Sequence, residues 1–155
     1  MNYWLMKSEP STFGIDDLAR AKNRTSSWDG VRNFQARNYL REMKQGDLAF
    51  FYHSSCEVPG IAGVACVQRE AYPDSTAFDS KHDHYDPESD PDKPRWYMVD
   101  VKLVRKFDQV ITLEQLRQHA TGILKDMIVL KRGNRLSITP VTKSEWTFIE
   151  SLASE

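Results

Sequence analysis

Apolar positions along this chain switch between a period of two and a period near 3.6, and the switches outline its elements. The run Tyr3-Trp4-Leu5-Met6 reads as a buried strand that begins almost at residue 1 and stops at Glu9-Pro10. Residues 15–21 predict a short helix, with Gly14 as N-cap and Asp16 and Asp17 well placed in its first turn. Ala36, Leu40 and Met43 fall at helical spacing behind Asn33, a plausible cap for a helix over 33–43. Gly46-Asp47 turns the chain into an aromatic strand at 48–52, and Pro59-Gly60 turns it into another at 61–67. In the latter, Gly63 and Ala65 leave room for a close backbone approach. Alternation resumes at 96–104. Thr112 with Gln115 and Thr142 with Glu145 are capping-box patterns, the second opening a helix with Trp146, Ile149, Leu152 and Ala153 on one face. Between them Leu136-Ser137-Ile138 predicts a short strand ended by Pro140.

Strands scattered among short helices, without repeats or a linker, predict an α+β fold around a curved sheet or small barrel. The expected unit is a single domain over residues 1–155, with no second domain fused. Residues 73–94 interrupt the pattern with four prolines and predict a long loop ordered chiefly where its ends meet the fold.

Composition adds little until the charges are mapped. The formal net charge of −1 conceals a segregation. Residues 20–44 carry seven basic side chains against Asp29 and Glu42, whereas residues 73–94 carry seven acidic ones against Lys81 and Lys93. A basic face favours an anionic partner; two solvated surfaces are the competing reading. Nothing in the sequence reads as a signal peptide or a membrane span, so the expected location is the compartment of synthesis: cytoplasm in a bacterium, with the nucleus open in a eukaryote. Cys56 and Cys66 form no metal or disulfide framework.

Enzyme signatures are missing: the sequence has no GxSxG elbow, phosphate loop, GxGxxG or HExxH. His53 with Cys56 lacks an orienting third group, and Glu9 with Asp29 would need convergence that spacing cannot show. His82-Asp83-His84 and Asp86 could hold a surface metal, but a solvated loop is favoured, and neither cofactor nor metal is expected. Four tryptophans are informative. Trp146 reads as core and Trp4 is ambiguous. Trp28 and Trp96 sit beside polar clusters and admit two readings, core residue or wall of a pocket for a flat heterocycle. Such a pocket also needs donors and acceptors, which Lys7-Ser8-Glu9, Asn33 and Tyr52-His53-Ser54 can supply.

The stretches YWLMKSEP (3–10), WDGVRNFQARNYLR (28–41), DLAFFYHSS (47–55), GIAGVACV (60–67), AYPD (71–74), RWYMVDV (95–101) and RLSITPVTKSEW (135–146) together resemble the EVE domain family over nearly the whole chain. The resemblance implies a PUA-like curved sheet or pseudobarrel edged by short helices, kin to the YTH readers of N6-methyladenine. It also implies a non-enzymatic reader whose partner is DNA or RNA carrying a modified base, 5-methylcytosine or similar, and no membrane. By motif, Lys7-Ser8 matches the readers' strand-end pair, Trp28 the cage tryptophan, Tyr52-His53-Ser54 the next strand end, and Trp96 the start of the following strand. Gly14 departs from a more usual serine, and His82 and His84 occupy a loop that often carries tyrosine.

The expected pocket therefore comprises Lys7, Ser8, Glu9, Trp28, Asn33, Tyr52, His53, Ser54 and Trp96, with Arg32, Arg37 and Arg41 drawing the phosphate backbone. Trp28 is expected to be partly exposed, so that Trp28→Ala costs the fold little. The alternatives are an enzyme or accessory domain for a small free heterocycle or nucleotide, using Glu9 or His53 for proton transfer, and a protein-interaction module using the acidic loop.

Overall fold

The computed structural model describes residues 1–154; Glu155, the last residue of the expected domain, lies outside them. The strands are β1 (Tyr3–Ser8), β2 (Thr25–Trp28), β3 (Leu48–His53), β4 (Gly60–Pro73), β5 (Tyr97–Thr112) and β6 (Ile138–Val141), and the helices α1 (Pro10–Phe13), α2 (Ile15–Arg20), α3 (Phe34–Glu42), α4 (Leu113–Arg117) and α5 (Lys143–Ala153). The strands form one sheet in the order β2-β5-β4-β3-β1-β6. Neighbours β1 and β3 run parallel and the other pairs antiparallel. This is the expected α+β architecture, an open curved sheet edged by short helices.

Pleating decides which core each side chain enters. Trp4, Met6, Ala49 and Phe51 face a core closed by Ile15 and Leu18 of α2 and Ala36 and Leu40 of α3. Their neighbours Leu5, Phe50 and Tyr52 face the opposite core, closed by Leu116 of α4 and Trp146 and Ile149 of α5. Trp146 stacks on Phe50 with ring centroids 3.7 Å apart. Helix starts are capped where the sequence placed them. Asn33 Oδ1 accepts from Ala36 N at 2.9 Å, and both capping boxes form, each cap contributing about 1 kcal/mol.

Four local expectations change. Pro10 ends β1 but also opens α1 as its first residue, a position where the missing N–H has no helical partner to lose. Thr25-Ser26-Ser27, too polar to read as a strand, pairs with β5 at the sheet edge as β2. The last strand runs through Pro140 instead of ending before it, because β6 is an edge strand and pairs on one side, with β1. The strands β4 and β5 also extend beyond their expected ends, with register shifts that let the long pair bend. Among the described residues, no helix is long and apolar enough to cross a membrane.

Candidate functional site

Where β1 ends, α1 folds back beside the end of β2 and leaves a cavity of about 490 Å³, within the roughly 300–1,000 Å³ of small-ligand pockets. Phe13, Trp28 and Val31 give it apolar wall, while Lys7, Ser8, Glu9 and Ser137 lie along its polar side. The Ser8 hydroxyl donates to the Phe13 carbonyl at 2.6 Å, which holds α1 over the strand end. Glu9 caps α1 only through its backbone carbonyl, so its exposed carboxylate makes no capping bond. Lys7 is anchored by its main chain, whose N–H donates to the Ser137 carbonyl at 2.8 Å. Burial pulls its ammonium below the ordinary lysine value.

Trp28 lines this cavity yet is only 7% exposed. Its indole meets Phe51 edge-on, with centroids 5.3 Å apart, and Phe13 at 6.5 Å. The expectation of a partly exposed ring is therefore corrected: Trp28 belongs to the α2–α3 core and shows the cavity only a margin. Core residue and pocket wall are here one side chain.

The turn Asp29-Gly30-Val31-Arg32, with His84 laid against Gly30, completes the lining. Gly30 is required twice over. Its φ of +77° is in the left-handed region, and a Cβ there would lie 2.4 Å from His84 Cε1. Asp74, fully buried, holds the turn: it accepts from Gly30 N at 2.8 Å, Arg32 Nη1 at 3.0 Å and Thr76 N at 2.9 Å. Burial alone would raise this carboxyl, but hydrogen bonds from Thr76, Gly30 and Arg32 outweigh it and hold the group below the usual carboxylate range. Arg32 also donates through Nη2 and Nε to the His84 carbonyl, at 2.7 and 3.1 Å. The acidic loop is thereby pinned at its middle as well as its ends, aided by Asp86, whose N–H donates to the Ala77 carbonyl.

The other expected site residues lie elsewhere. Asn33 caps α3 and is exposed. Trp96 is buried against Phe34, its Nε1 donating to Asp86 at 2.6 Å, outside the Trp28 cavity. His53 Nε2 accepts from Ile15 N at 3.1 Å, closing the N-terminus of α2. Burial lowers its pKa, and nearby Asp16 only partly offsets this, which keeps the accepting nitrogen unprotonated. Tyr52 and Ser54 line a different cleft. Arg37 donates to the Arg95 carbonyl at 2.9 Å and lies over Phe34, while Arg41 lies over Tyr97.

Glu9 and Asp29 line the same cavity, and sequence reasoning missed Thr12, Phe13, Ser26, Ser27, Gly30, Val31, His84 and Ser137 as its other lining residues. For Gly30 a signal existed, since Asp-Gly is a turn dipeptide needing positive φ. The remainder are ordinary residues selected by tertiary placement alone.

The molecule is thus an α+β domain with a half-polar, small-ligand-sized cavity at one end of its sheet. The EVE domain model matches residues 2–152, and the chain belongs to the EVE domain family. Thymocyte nuclear protein 1 of Danio rerio is 48% identical over 98% of this chain and 72% of its own length. The human THYN1 protein, solved in complex with 5-methylcytosine-containing DNA, superposes with a TM-score of 0.95 at 46% identity, over 100% of this chain and 99% of that one. The YTH domain of Zygosaccharomyces rouxii MRB1 protein, at 13% identity and a TM-score of 0.54 over 98% of this chain and 86% of that one, shares the fold alone.

Proposed function

We propose that this protein binds nucleic acid and takes one modified base, 5-methylcytosine or a close relative, into the Trp28 cavity without transforming it. The observation that carries the reading is the likeness, over the full chain, to a protein solved with 5-methylcytosine DNA, in a molecule whose cavity combines apolar and polar lining. A base entering there would lie among Phe13, Trp28, Gly30 and His84. Lys7, Ser8 and Glu9 would meet its hydrogen-bonding edge. Because Trp28 shows little surface, wall contact is shared among these groups and does not rest on one exposed ring. Stacking of one base contributes about 1–3 kcal/mol, so phosphate contacts must supply much of the affinity and make it salt-dependent.

The enzymatic alternative is weaker on geometry. Glu9 lines the cavity, but His53 does not and is engaged at the start of α2. The test is fluorescence anisotropy with matched oligonucleotides carrying cytosine or 5-methylcytosine at one position. Tighter binding of the methylated strand is expected, and Glu9→Gln should alter which bases are preferred, because it adds a donor where only an acceptor stood. Equal affinity for both strands, unchanged by Glu9→Gln, sinks the base-reading proposal.

A further inference from the structure

A second cleft, of about 640 Å³, opens on the other side of the β1 end. Four cationic side chains line it, Lys7, Arg117, Lys131 and Arg132, and none of its described lining residues is acidic. Lys131 lies 4.0 Å from Asp126. Among the described residues, no carboxylate comes within ion-pair distance of the other three. Of the arginines expected to attract phosphate, Arg32 is already bound to Asp74 and to the His84 carbonyl, while Arg37 donates to the Arg95 carbonyl and Arg41 lies over the Tyr97 ring.

The two hollows lie back to back. Lys7 lines both, and so does the segment 131–137, through Lys131 and Arg132 on one side and Ser137 on the other. The Lys7 N–H bonded to the Ser137 carbonyl zips these segments into a single ridge. A nucleotide whose base sits in the first cavity has its sugar-phosphate at the cavity mouth, and the chain leaving it can cross this ridge at Lys7. Beyond the ridge the strand meets a concave surface of one charge sign, where low-dielectric walls such as the buried Tyr52 ring strengthen the field.

We infer that this second cleft is the phosphodiester track of the domain, with Arg117, Lys131 and Arg132 binding the backbone of the strand whose base occupies the Trp28 cavity. The inference rests on the base-binding reading proposed above, and adds where the strand runs and which cations hold it. Arg117, Lys131 and Arg132 are exposed, so their replacement should leave the fold intact.

The test compares the triple variant Arg117→Ala, Lys131→Ala, Arg132→Ala with the wild type. A control of equal charge, Lys44→Ala, Lys81→Ala, Lys143→Ala, removes three exposed lysines elsewhere. Affinity for oligonucleotides with cytosine or 5-methylcytosine is measured by anisotropy from 50 to 200 mM salt. Three lost phosphate contacts predict that the wild type weakens about 20- to 40-fold more over this range than the cleft variant. Methylated and unmethylated strands should lose affinity equally, with the control unchanged. An unchanged salt slope in the cleft variant, or equal flattening in the control, overturns the track. If the wild type shows no methyl preference while the cleft variant still flattens the slope, the track stands and the base-reading proposal fails.

Discussion

Replacing Asp74 tests whether this carboxylate holds the turn at Gly30 and Arg32 that lines the cavity. Its carboxylate is fully buried and takes hydrogen bonds from the Gly30 and Thr76 amides, the Thr76 hydroxyl and the Arg32 guanidinium. Removing one member of a buried ion pair costs about 3–5 kcal/mol when the other charge is stranded. Here Arg32 keeps the His84 carbonyl and is 23% exposed to water, so the lower end applies, about 3 kcal/mol for Asp74→Ala. For a domain of this length that lowers Tm by about 6–12 °C. Asp74→Asn retains an acceptor but not the charge and should lose roughly half as much.

A second signature follows from protonation. The folded carboxyl titrates below its ordinary value, so the unfolded chain binds the proton first as pH falls. The stabilisation is then complete above about pH 3.9 and disappears as pH drops through the folded pKa. Thermal melts give the change in Tm, and urea denaturation of wild type and both variants at neutral pH, and again in acid, gives the free energies. A loss below 1 kcal/mol for Asp74→Ala, or equal losses for Ala and Asn with the acid sensitivity intact, refutes the reasoning.

Trp28→Ala should destabilise by about 3–5 kcal/mol, as for other buried aromatics, so chemical denaturation must accompany any binding measurement on it; near-neutral stability would show the ring to be peripheral. Gly30→Ala should cost about 1–2 kcal/mol from positive φ and displacement of His84, and a melting curve matching wild type would contradict that packing. Since the folded pKa of His53 is lowered, the unfolded state takes up the proton first. Its contribution is complete above about pH 6.5 and is lost as pH falls through the folded value; urea midpoints at pH 7.5 and 5 should differ less in His53→Ala than in wild type. In hydrogen exchange, the Asp86 amide, bonded to the Ala77 carbonyl, should exchange more slowly than that of exposed Asp83; equal rates would leave the loop pinned only at its ends.

Much of the fold was legible because the signals were local. Caps at Asn33, Thr112 and Thr142 are short-range chemistry, and the apolar runs at 48–52 and 61–67 could be read without knowing their partners. What escaped depended on position in the sheet. Residues 25–27 are strand only because β5 offers an edge, and Pro140 is tolerated only because β6 has one neighbour. Neither fact is encoded at those residues.

The candidate cavity takes its expected residues from one strand end and not from the other, for a geometric reason. Motifs at 7–9 and 52–54 both mark ends of adjacent parallel strands, and Lys7 and Tyr52 are partners in register. A strand end nevertheless delivers consecutive side chains to opposite faces. Phe51 and His53 therefore fall toward the Trp28 side, where the rings of Phe51 and His53 meet edge-on at 5.6 Å, while Tyr52 falls toward the α4–α5 side. One hydrogen-bonding cluster in sequence is thus two clusters in space, separated by the thickness of the sheet. Lys7 alone of the expected pocket residues lines hollows on both sides, so the β1 end is where the proposed base cavity and the proposed backbone track meet. Distance in sequence hides a second feature: Arg32, expected to draw phosphate, is tied to a buried Asp74 contributed from 42 residues away, a partner that no local pattern shows.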